Sequence, residues 1–163
     1  MLPTGNQAFS LARLLALLVP LALLGGAYVG QYAFDLYPCE MCWWQRWPHF
    51  AALALAALAF VLRGQARLLV ALAAVGVLIS GLIGAFHAGV EYGWWEGITT
   101  CTAVAVEGAA DPLKAILNAP IVRCDQVQWE LFGIRLTGFN FLISAAAALL
   151  IFALLGRSKG AAA

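Results

Sequence analysis

Residues 68–88 read LLVALAAVGVLISGLIGAFHA, an apolar run without a charged side chain. A run of about 20 apolar residues is what an α-helix needs to cross roughly 30 Å of hydrocarbon. A soluble chain of 163 residues that is 64% hydrophobic and 10% charged could not bury so much apolar surface in one core. This stretch therefore predicts a membrane-spanning helix in a lipid bilayer.

Three further stretches have a similar length and composition. The four predicted spans cover approximately residues 11–30, 43–62, 68–88 and 136–155. Lipid offers no partner for open backbone groups, and the alternation typical of a β-barrel is absent, so the spans are expected to be helices. We predict an all-α protein in which a four-helix transmembrane bundle forms a single membrane domain over residues 1–163.

Charge divides the connections between the spans into two sets. The termini and the turn at residues 63–67 carry five basic residues and no acidic one: Arg13, Arg63, Arg67, Arg157 and Lys159. All eight acidic residues lie in or beside the loops at 31–42 and 89–135. The positive-inside rule therefore predicts that both termini are cytoplasmic and that these two loops are outside. A cleaved signal peptide ending near Ala27 is a second interpretation of the start, and it leaves the remaining topology unchanged.

The long second outer loop contains two segments, 112–117 and 127–132, that mix apolar and charged residues at near-helical spacing. We interpret one or both as short amphipathic segments on the membrane surface. A small folded cap over the bundle is the alternative. The chain has no basic patch or stripe, so nucleic acid is not an expected partner.

All four cysteines, Cys39, Cys42, Cys101 and Cys124, fall in the two predicted outer loops. Four cysteines allow three connectivities, and the sequence-local one pairs Cys39 with Cys42 and Cys101 with Cys124. In the chain-entropy model the longer loop contributes about 3.4 kcal/mol and the shorter one about 2 kcal/mol. Two structural disulfides are one interpretation, but the short Cys-x-x-Cys loop is better suited to thiol–disulfide exchange.

Metal and haem are not expected at these cysteines. Trp43 follows the Cys-x-x-Cys, where haem attachment requires a histidine. A four-cysteine zinc site usually has two close-spaced pairs, whereas Cys101 and Cys124 are far apart in the chain.

Arg46 follows Cys42 by four residues. If the second helix begins near Trp43, the side chains of Cys42 and Arg46 share one face of it. The guanidinium and the positive helix N-terminus would then lower the pKa of Cys42 and favour its thiolate. Such a thiolate could donate electron density to an electron-poor quinone that lies against it. In the alternatives, Arg46 only extends to lipid headgroups, or the helix begins at Pro48 and the shared face is lost.

Two histidines, His49 and His87, lie near the predicted outer boundary. Either one could donate a hydrogen bond to a quinone oxygen or handle its protons, and a packed structural histidine is the alternative. Glu91, one turn after His87, is expected to be a solvated interfacial charge.

Three motifs resemble the bacterial DsbB family of inner-membrane disulfide-bond formation proteins. PCEMCWWQR at residues 38–46 resembles the start of the second helix in that family. HAGVEYGWW at residues 87–95, which leads to Cys101, and CDQVQW at residues 124–129 resemble its later parts. The resemblance spans almost the whole chain, from the four spans to the order of the cysteines.

The resemblance implies a thiol:quinone oxidoreductase of the bacterial inner membrane, with its active cysteines facing the periplasm. Cys101 and Cys124 match the loop pair that takes electrons from a reduced periplasmic thioredoxin-fold oxidase similar to DsbA. Cys39 and Cys42 match the pair that reoxidises this loop. The DsbA–DsbB–quinone route keeps the periplasm oxidising.

The resemblance also implies a quinone site. Cys42 would meet ubiquinone or menaquinone from the membrane pool, and Arg46 matches the arginine of that site. His87 is the nearest match to a histidine in the same region. Gln45 stands at a position where an acidic residue can occur in the family, and the second loop is short for the family.

Two rivals remain as alternatives. A vitamin-K-epoxide-reductase-like enzyme also uses a helical bundle, four cysteines and a quinone, but its loop cysteines precede the membrane Cys-x-x-Cys, which is the reverse of the order here. A non-enzymatic tetraspan scaffold would carry structural disulfides, and the Cys-Cys-Gly typical of tetraspanins is missing from this sequence.

Overall fold

The structure is a computed structural model that describes residues 5–99, 102–103 and 121–158. Four long helices occupy most of these residues: α1 (Gly5–Ala33), α2 (Glu40–Val61), α3 (Ala66–Glu91) and α4 (Leu136–Arg157). Each predicted span corresponds to one of them, so the helical architecture is confirmed.

Three of the helices are long and apolar enough to cross a membrane: α1, α4, and α3 together with the 3-10 turn Arg63–Gln65 that precedes it. The remaining helix, α2, has 22 residues, but Gln45, Arg46 and His49 in its first half lower its mean hydropathy. These three polar side chains are buried inside the bundle, where each makes at least one hydrogen bond.

Small residues bring the helices close together. A Cβ added at Gly81 of α3 would lie 2.9 Å from the Cβ of Ser144, and one added at Gly84 would lie 3.0 Å from the carbonyl oxygen of Thr137. Membrane helices associate through such close packing, because lipid tails are as apolar as the side chains they would replace. The backbones of α3 and α4 therefore approach each other at these two glycines.

The first helical turn of α2 contains the Cys-x-x-Cys. Cys39 is the N-cap, and its Sγ accepts a hydrogen bond from the backbone N–H of Cys42 at 3.3 Å. Pro48 lies inside the helix and not at its start, so the alternative in which α2 begins at Pro48 is wrong. Cys42 and Arg46 consequently stand one turn apart on the same side of α2.

Two short antiparallel strand pairs connect α3 to α4. β1 (Thr102–Ala103) pairs with β2 (Ile121–Val122), and β3 (Glu130–Leu131) pairs with β4 (Ile134–Arg135). The residues between β3 and β4, Phe132 and Gly133, have φ of 52° and 77°, as a tight hairpin turn requires.

The segment 127–132 therefore forms a strand and a turn, and its near-helical spacing does not produce a helix. The hairpin reverses the chain immediately before α4, which leaves no room for a helical turn there. The other predicted amphipathic segment, 112–117, lies outside the described residues.

Candidate active site

Three cysteines meet at one end of the helix bundle. Cys39 and Cys42 have Sγ atoms 3.1 Å apart, and the Cys39 thiol donates to Cys42. Cys124 belongs to the same buried cluster, together with Met41. All three are free thiols. Cys101 lies outside the described residues, so its expected pairing with Cys124 stays a prediction.

Hydrogen bonds and burial together set the pKa of the two thiols that lie outside the helices. The hydrogen bond to Cys42 and burial raise the pKa of Cys39, whereas His87 lowers it. Burial also raises the pKa of Cys124, and a hydrogen bond from Thr99 Oγ1 at 3.1 Å opposes that effect. Because the thiolate is the reactive form in thiol–disulfide exchange, the groups that donate hydrogen bonds to these sulfurs promote their reaction.

His87 lies directly beneath the cysteines, with 1% of its surface exposed. Its Nε2 is 3.6 Å from Cys39 Sγ and 3.1 Å from the backbone oxygen of Cys124. Its Nδ1 is 2.9 Å from Nε2 of Gln45. The histidine singled out from the sequence therefore contacts both the Cys-x-x-Cys and the cysteine of the second loop.

Glu91 is not the solvated charge that the sequence suggested. Its side chain is 8% exposed, and one carboxylate oxygen lies 3.9 Å from His87 Nε2. The other oxygen accepts a hydrogen bond from Thr137 Oγ1. The expectation was wrong because α4 packs over this end of α3 and covers the carboxylate.

A buried polar network extends from His87 into the bundle. Gln45 Nε2 donates to the backbone oxygen of Met41, and Gln45 Oε1 accepts from Asn140 Nδ2 at 2.8 Å. Asn140 Oδ1 lies 3.1 Å from His49 Nε2, and Ser80 Oγ donates to the backbone oxygen of Gln45. His49 Nδ1 is buried and has no hydrogen-bond partner within the described parts of the chain.

Sequence reasoning did not find Asn140 as a site residue. It stands in a predicted span with few polar residues, and its position in the sequence gave no indication of its partners. A polar residue inside a membrane span often belongs to a functional hydrogen-bond network, and applying this rule to the span would have identified Asn140.

The side chain of Arg46 faces α1, and only 6% of the residue is exposed. Its Nη1 donates to Gln31 Oε1 at 2.7 Å and its Nη2 to the backbone oxygen of Ala27 at 3.3 Å. The guanidinium carbon is also 4.9 Å from the ring centres of both Tyr28 and Trp43. The contacts with Gln31, Ala27 and Tyr28 bind Arg46 to α1, so its side chain does not extend to lipid headgroups.

Two open cavities differ in their lining and in their distance from the cysteines. A groove of about 460 Å³ is lined by apolar side chains of α1 and α4: Leu18, Val19, Ala22, Leu23 and Ile143. A second cavity of about 690 Å³ lies next to Cys124 and Thr99, with Trp94 and Trp95 in its wall. The first cavity suits an apolar chain, and the second gives access to the Cys124 sulfur.

Among the residues that the structure describes, one group of side chains could hold a metal ion. The ligand atoms of Cys39, Cys42 and His87 all lie within 4.8 Å of one another. Thiolate and imidazole together suit zinc. However, the amide of Gln45 donates to His87 Nδ1, so Nε2 carries a proton that a metal would have to displace. The arrangement favours hydrogen bonding by His87 over metal coordination.

The chain matches known proteins along most of its length. The family model described as disulfide bond formation protein DsbB matches residues 9–154. An uncharacterized protein of Rickettsia prowazekii (strain Madrid E) is 23% identical over 151 residues, which cover 90% of this chain and 87% of that protein. No solved structure matches the chain.

Proposed function

Since the chain belongs to the DsbB family, we propose that it is a thiol:quinone oxidoreductase that reoxidises a periplasmic disulfide oxidase similar to DsbA. Family membership and the three apolar helices make it an integral membrane protein involved in disulfide bond formation. The single observation that carries the finer proposal is that Cys124 and Cys39 belong to one buried cluster, against which Cys42 packs.

The proposed topology has four spans, with α2 as the fourth, and both termini in the cytoplasm of the bacterial cell. The burial of the polar half of α2 against its neighbours supports its membrane position. The distribution of basic residues supports the orientation. The whole chain is then one multi-pass domain of the inner membrane, and its cysteines face the periplasm.

Electrons would move through the four cysteines in two exchanges. A reduced partner dithiol first reduces the Cys101–Cys124 disulfide and becomes a disulfide itself. The Cys124 thiolate then attacks Cys39 Sγ, the Cys39–Cys42 bond breaks, and Cys42 leaves as a thiolate. Cys101 next attacks Cys124, which restores the loop disulfide and releases Cys39. The packing of Cys124 beside Cys39 supports this order.

The residues on the α1 side of Cys42 fit a quinone. Arg46 is a buried cation one turn from Cys42, and the apolar groove between α1 and α4 suits an isoprenoid chain. Ubiquinone or menaquinone, when bound, accepts two electrons and two protons. We propose that Cys42 and Arg46 face the quinone head group, and that His87 belongs to the same site on the side where the cysteines lie.

The deciding experiment uses purified protein, a reduced DsbA-like partner and a soluble quinone analogue. We expect Cys39→Ser and Cys42→Ser to abolish quinone reduction, because each removes one sulfur of the pair that reduces the quinone. Ser144→Ala, at a small buried hydroxyl away from the sulfurs, is the matched control and should keep most of the activity. Quinone reduction that persists in either cysteine variant would refute the proposal.

The same preparation separates the rival functions. A tetraspan scaffold with structural disulfides would resist mild dithiol treatment and would show no quinone-dependent turnover. The order of the cysteines in the chain argues against a vitamin-K-epoxide-reductase-like enzyme.

A further inference from the structure

Two side-chain amides, the buried Gln45 and the half-buried Asn140, connect the two histidines of the chain. Gln45 Nε2 lies 2.9 Å from His87 Nδ1, and Gln45 Oε1 accepts from Asn140 Nδ2 at 2.8 Å. At the other end, His49 Nε2 lies 3.1 Å from Asn140 Oδ1. The four side chains form one continuous hydrogen-bonded string among α2, α3 and α4.

Backbone carbonyls fix the direction of the hydrogen bonds in this string, because a carbonyl oxygen only accepts. The oxygen of Met41 lies 3.2 Å from one amide atom of Gln45, and the oxygen of Ser80 lies 3.2 Å from one amide atom of Asn140. Both amide atoms must therefore be nitrogens. Gln45 consequently donates to His87 Nδ1, which leaves the ring proton on Nε2.

A third carbonyl gives an independent check on the other side of the imidazole. The backbone oxygen of Cys124 lies 3.1 Å from His87 Nε2, so Nε2 must be the donor. The same N–H faces Cys39 Sγ at 3.6 Å. His87 thus presents a donor to the sulfur and not the lone pair of a base.

The amide also disfavours a charged ring. An imidazolium would place an N–H on Nδ1 directly against the N–H of Gln45, and two donors cannot share one hydrogen bond. Glu91, whose carboxylate lies 3.9 Å from Nε2, favours the charged ring. The amide opposes it at shorter range.

We propose that Gln45 and Asn140 are positioning residues that hold His87 as the neutral Nε2–H tautomer, so that it donates a hydrogen bond to Cys39 when that sulfur leaves as a thiolate. The inference rests on the proposed function, in which Cys39 is the leaving group as the loop disulfide re-forms. Asn140 acts through Gln45. The N–H of Asn140 donates to Gln45 Oε1, so the nitrogen end of the Gln45 amide faces His87.

The step that benefits is the second exchange of the relay. The Cys101 thiolate attacks Cys124, a disulfide forms between them, and the Cys39–Cys124 bond breaks. The electron pair of the broken bond stays on Cys39 Sγ, where burial disfavours a negative charge. A hydrogen bond from His87 to this sulfur stabilises the leaving thiolate and speeds the step.

Nitrogen-15 NMR of the full-length protein in bicelles tests the tautomer directly. The chain has two histidines, so a sample labelled at histidine gives a simple spectrum that His49→Phe assigns. We expect His87 to carry its proton on Nε2 alone. In Gln45→Glu the carboxylate only accepts, so a proton should appear on Nδ1. A wild-type His87 protonated on Nδ1 overturns the inference.

Kinetics test the role that we assign to this tautomer. Gln45→Met removes the donor at similar volume, and we expect kcat to fall about tenfold, as loss of one buried hydrogen bond predicts, while the KM for the quinone analogue stays the same. Ser144→Ala, which removes another hydrogen bond to Asn140, should leave kcat within about twofold. An unchanged kcat in a folded Gln45→Met protein overturns the role.

These outcomes are separable from failure of the proposed function. Wild-type protein that reduces no quinone but shows His87 protonated on Nε2 refutes the oxidoreductase and leaves the tautomer assignment standing. Active wild-type protein with the opposite tautomer refutes only the role of the amides. If Gln45→Met does not fold, the wild-type and Gln45→Glu spectra still decide the tautomer.

Discussion

The two ends of the helix bundle are held together in different ways. At the cysteine end, α2, α3 and α4 are joined by hydrogen bonds among Gln45, Ser80 and Asn140. At the far end the same helices pack through small and branched apolar side chains, among them Val70, Ala148 and Ile151. The comparison teaches that directional hydrogen bonds fix the helices beside the cysteines, whereas apolar packing holds them at the far end.

The largest expected effect is a loss of activity at the cysteine end that leaves the packing of the helix bundle intact. Cys124→Ser removes a sulfur of the second loop that the structure places in one cluster with Cys39. We expect oxidation of the partner to fall at least about 1000-fold, since a hydroxyl is a poor nucleophile at neutral pH. Loss of partner thiols over time, measured with a thiol reagent, gives the rate. A rate within tenfold of wild type would exclude Cys124 from the relay.

The apolar end should show the reverse behaviour. Ile151 is fully buried, and Ile151→Ala should lower the free energy of unfolding by about 2–4 kcal/mol through lost contacts and a cavity. Unfolding in mixed micelles by added sodium dodecyl sulfate measures this change. Because Ile151 lies at the end remote from the cysteines, the kcat of the folded variant should stay near that of wild type. A parallel loss of kcat would show that the two ends are coupled.

Two arginines sharpen the contrast. The buried Arg46 and the half-buried Arg67 each donate to a backbone carbonyl, at opposite ends of the molecule. Arg46→Met removes the cation beside Cys42, and we expect the KM for the quinone analogue to rise about tenfold or more. Arg67, which donates to Leu155 and Ser158 at the far end, supplies the matched control. Arg67→Met should change stability but not KM. Equal effects on KM would reduce Arg46 to a structural contact.

Most of the architecture followed from the sequence, because membrane helices are set by length and hydropathy, which a single chain displays. The predicted span 136–155 lies within α4, and residues 68–88 lie within α3. The start of α2 was left open between Trp43 and Pro48, and both positions are too late. The helix begins at Glu40 because the Cys39 sulfur caps it, and no standard capping residue announces that start.

The site was predictable only where residues cluster in the sequence. Cys39, Cys42 and Arg46 lie within two turns of one helix, so spacing alone placed them together. Asn140 reaches Gln45 across 95 positions, and that contact depends on the close approach that Gly84 permits between α3 and α4. Spacing along the chain contains no information about such a contact, whereas the packing of the bundle determines it.

The smallest effect concerns the reactivity of one sulfur. Thr99 Oγ1 donates to Cys124 Sγ and so lowers the pKa of a thiol that burial raises. Thr99→Val removes this donor at nearly equal volume, and we expect the pKa of Cys124 to rise further. Alkylation of Cys124 at neutral pH should then slow about threefold to tenfold, as the loss of one hydrogen bond predicts.

The pH dependence of alkylation shows whether Thr99 acts through the ionisation of Cys124. The thiolate fraction of Cys124 grows as pH increases toward its raised pKa, so the difference between Thr99→Val and wild type should be largest near neutrality and vanish at alkaline pH, where both are ionised. A protein with Cys39, Cys42 and Cys101 replaced by serine isolates the signal. A difference that persists unchanged at alkaline pH would mean that Thr99 controls access to the sulfur and not its ionisation.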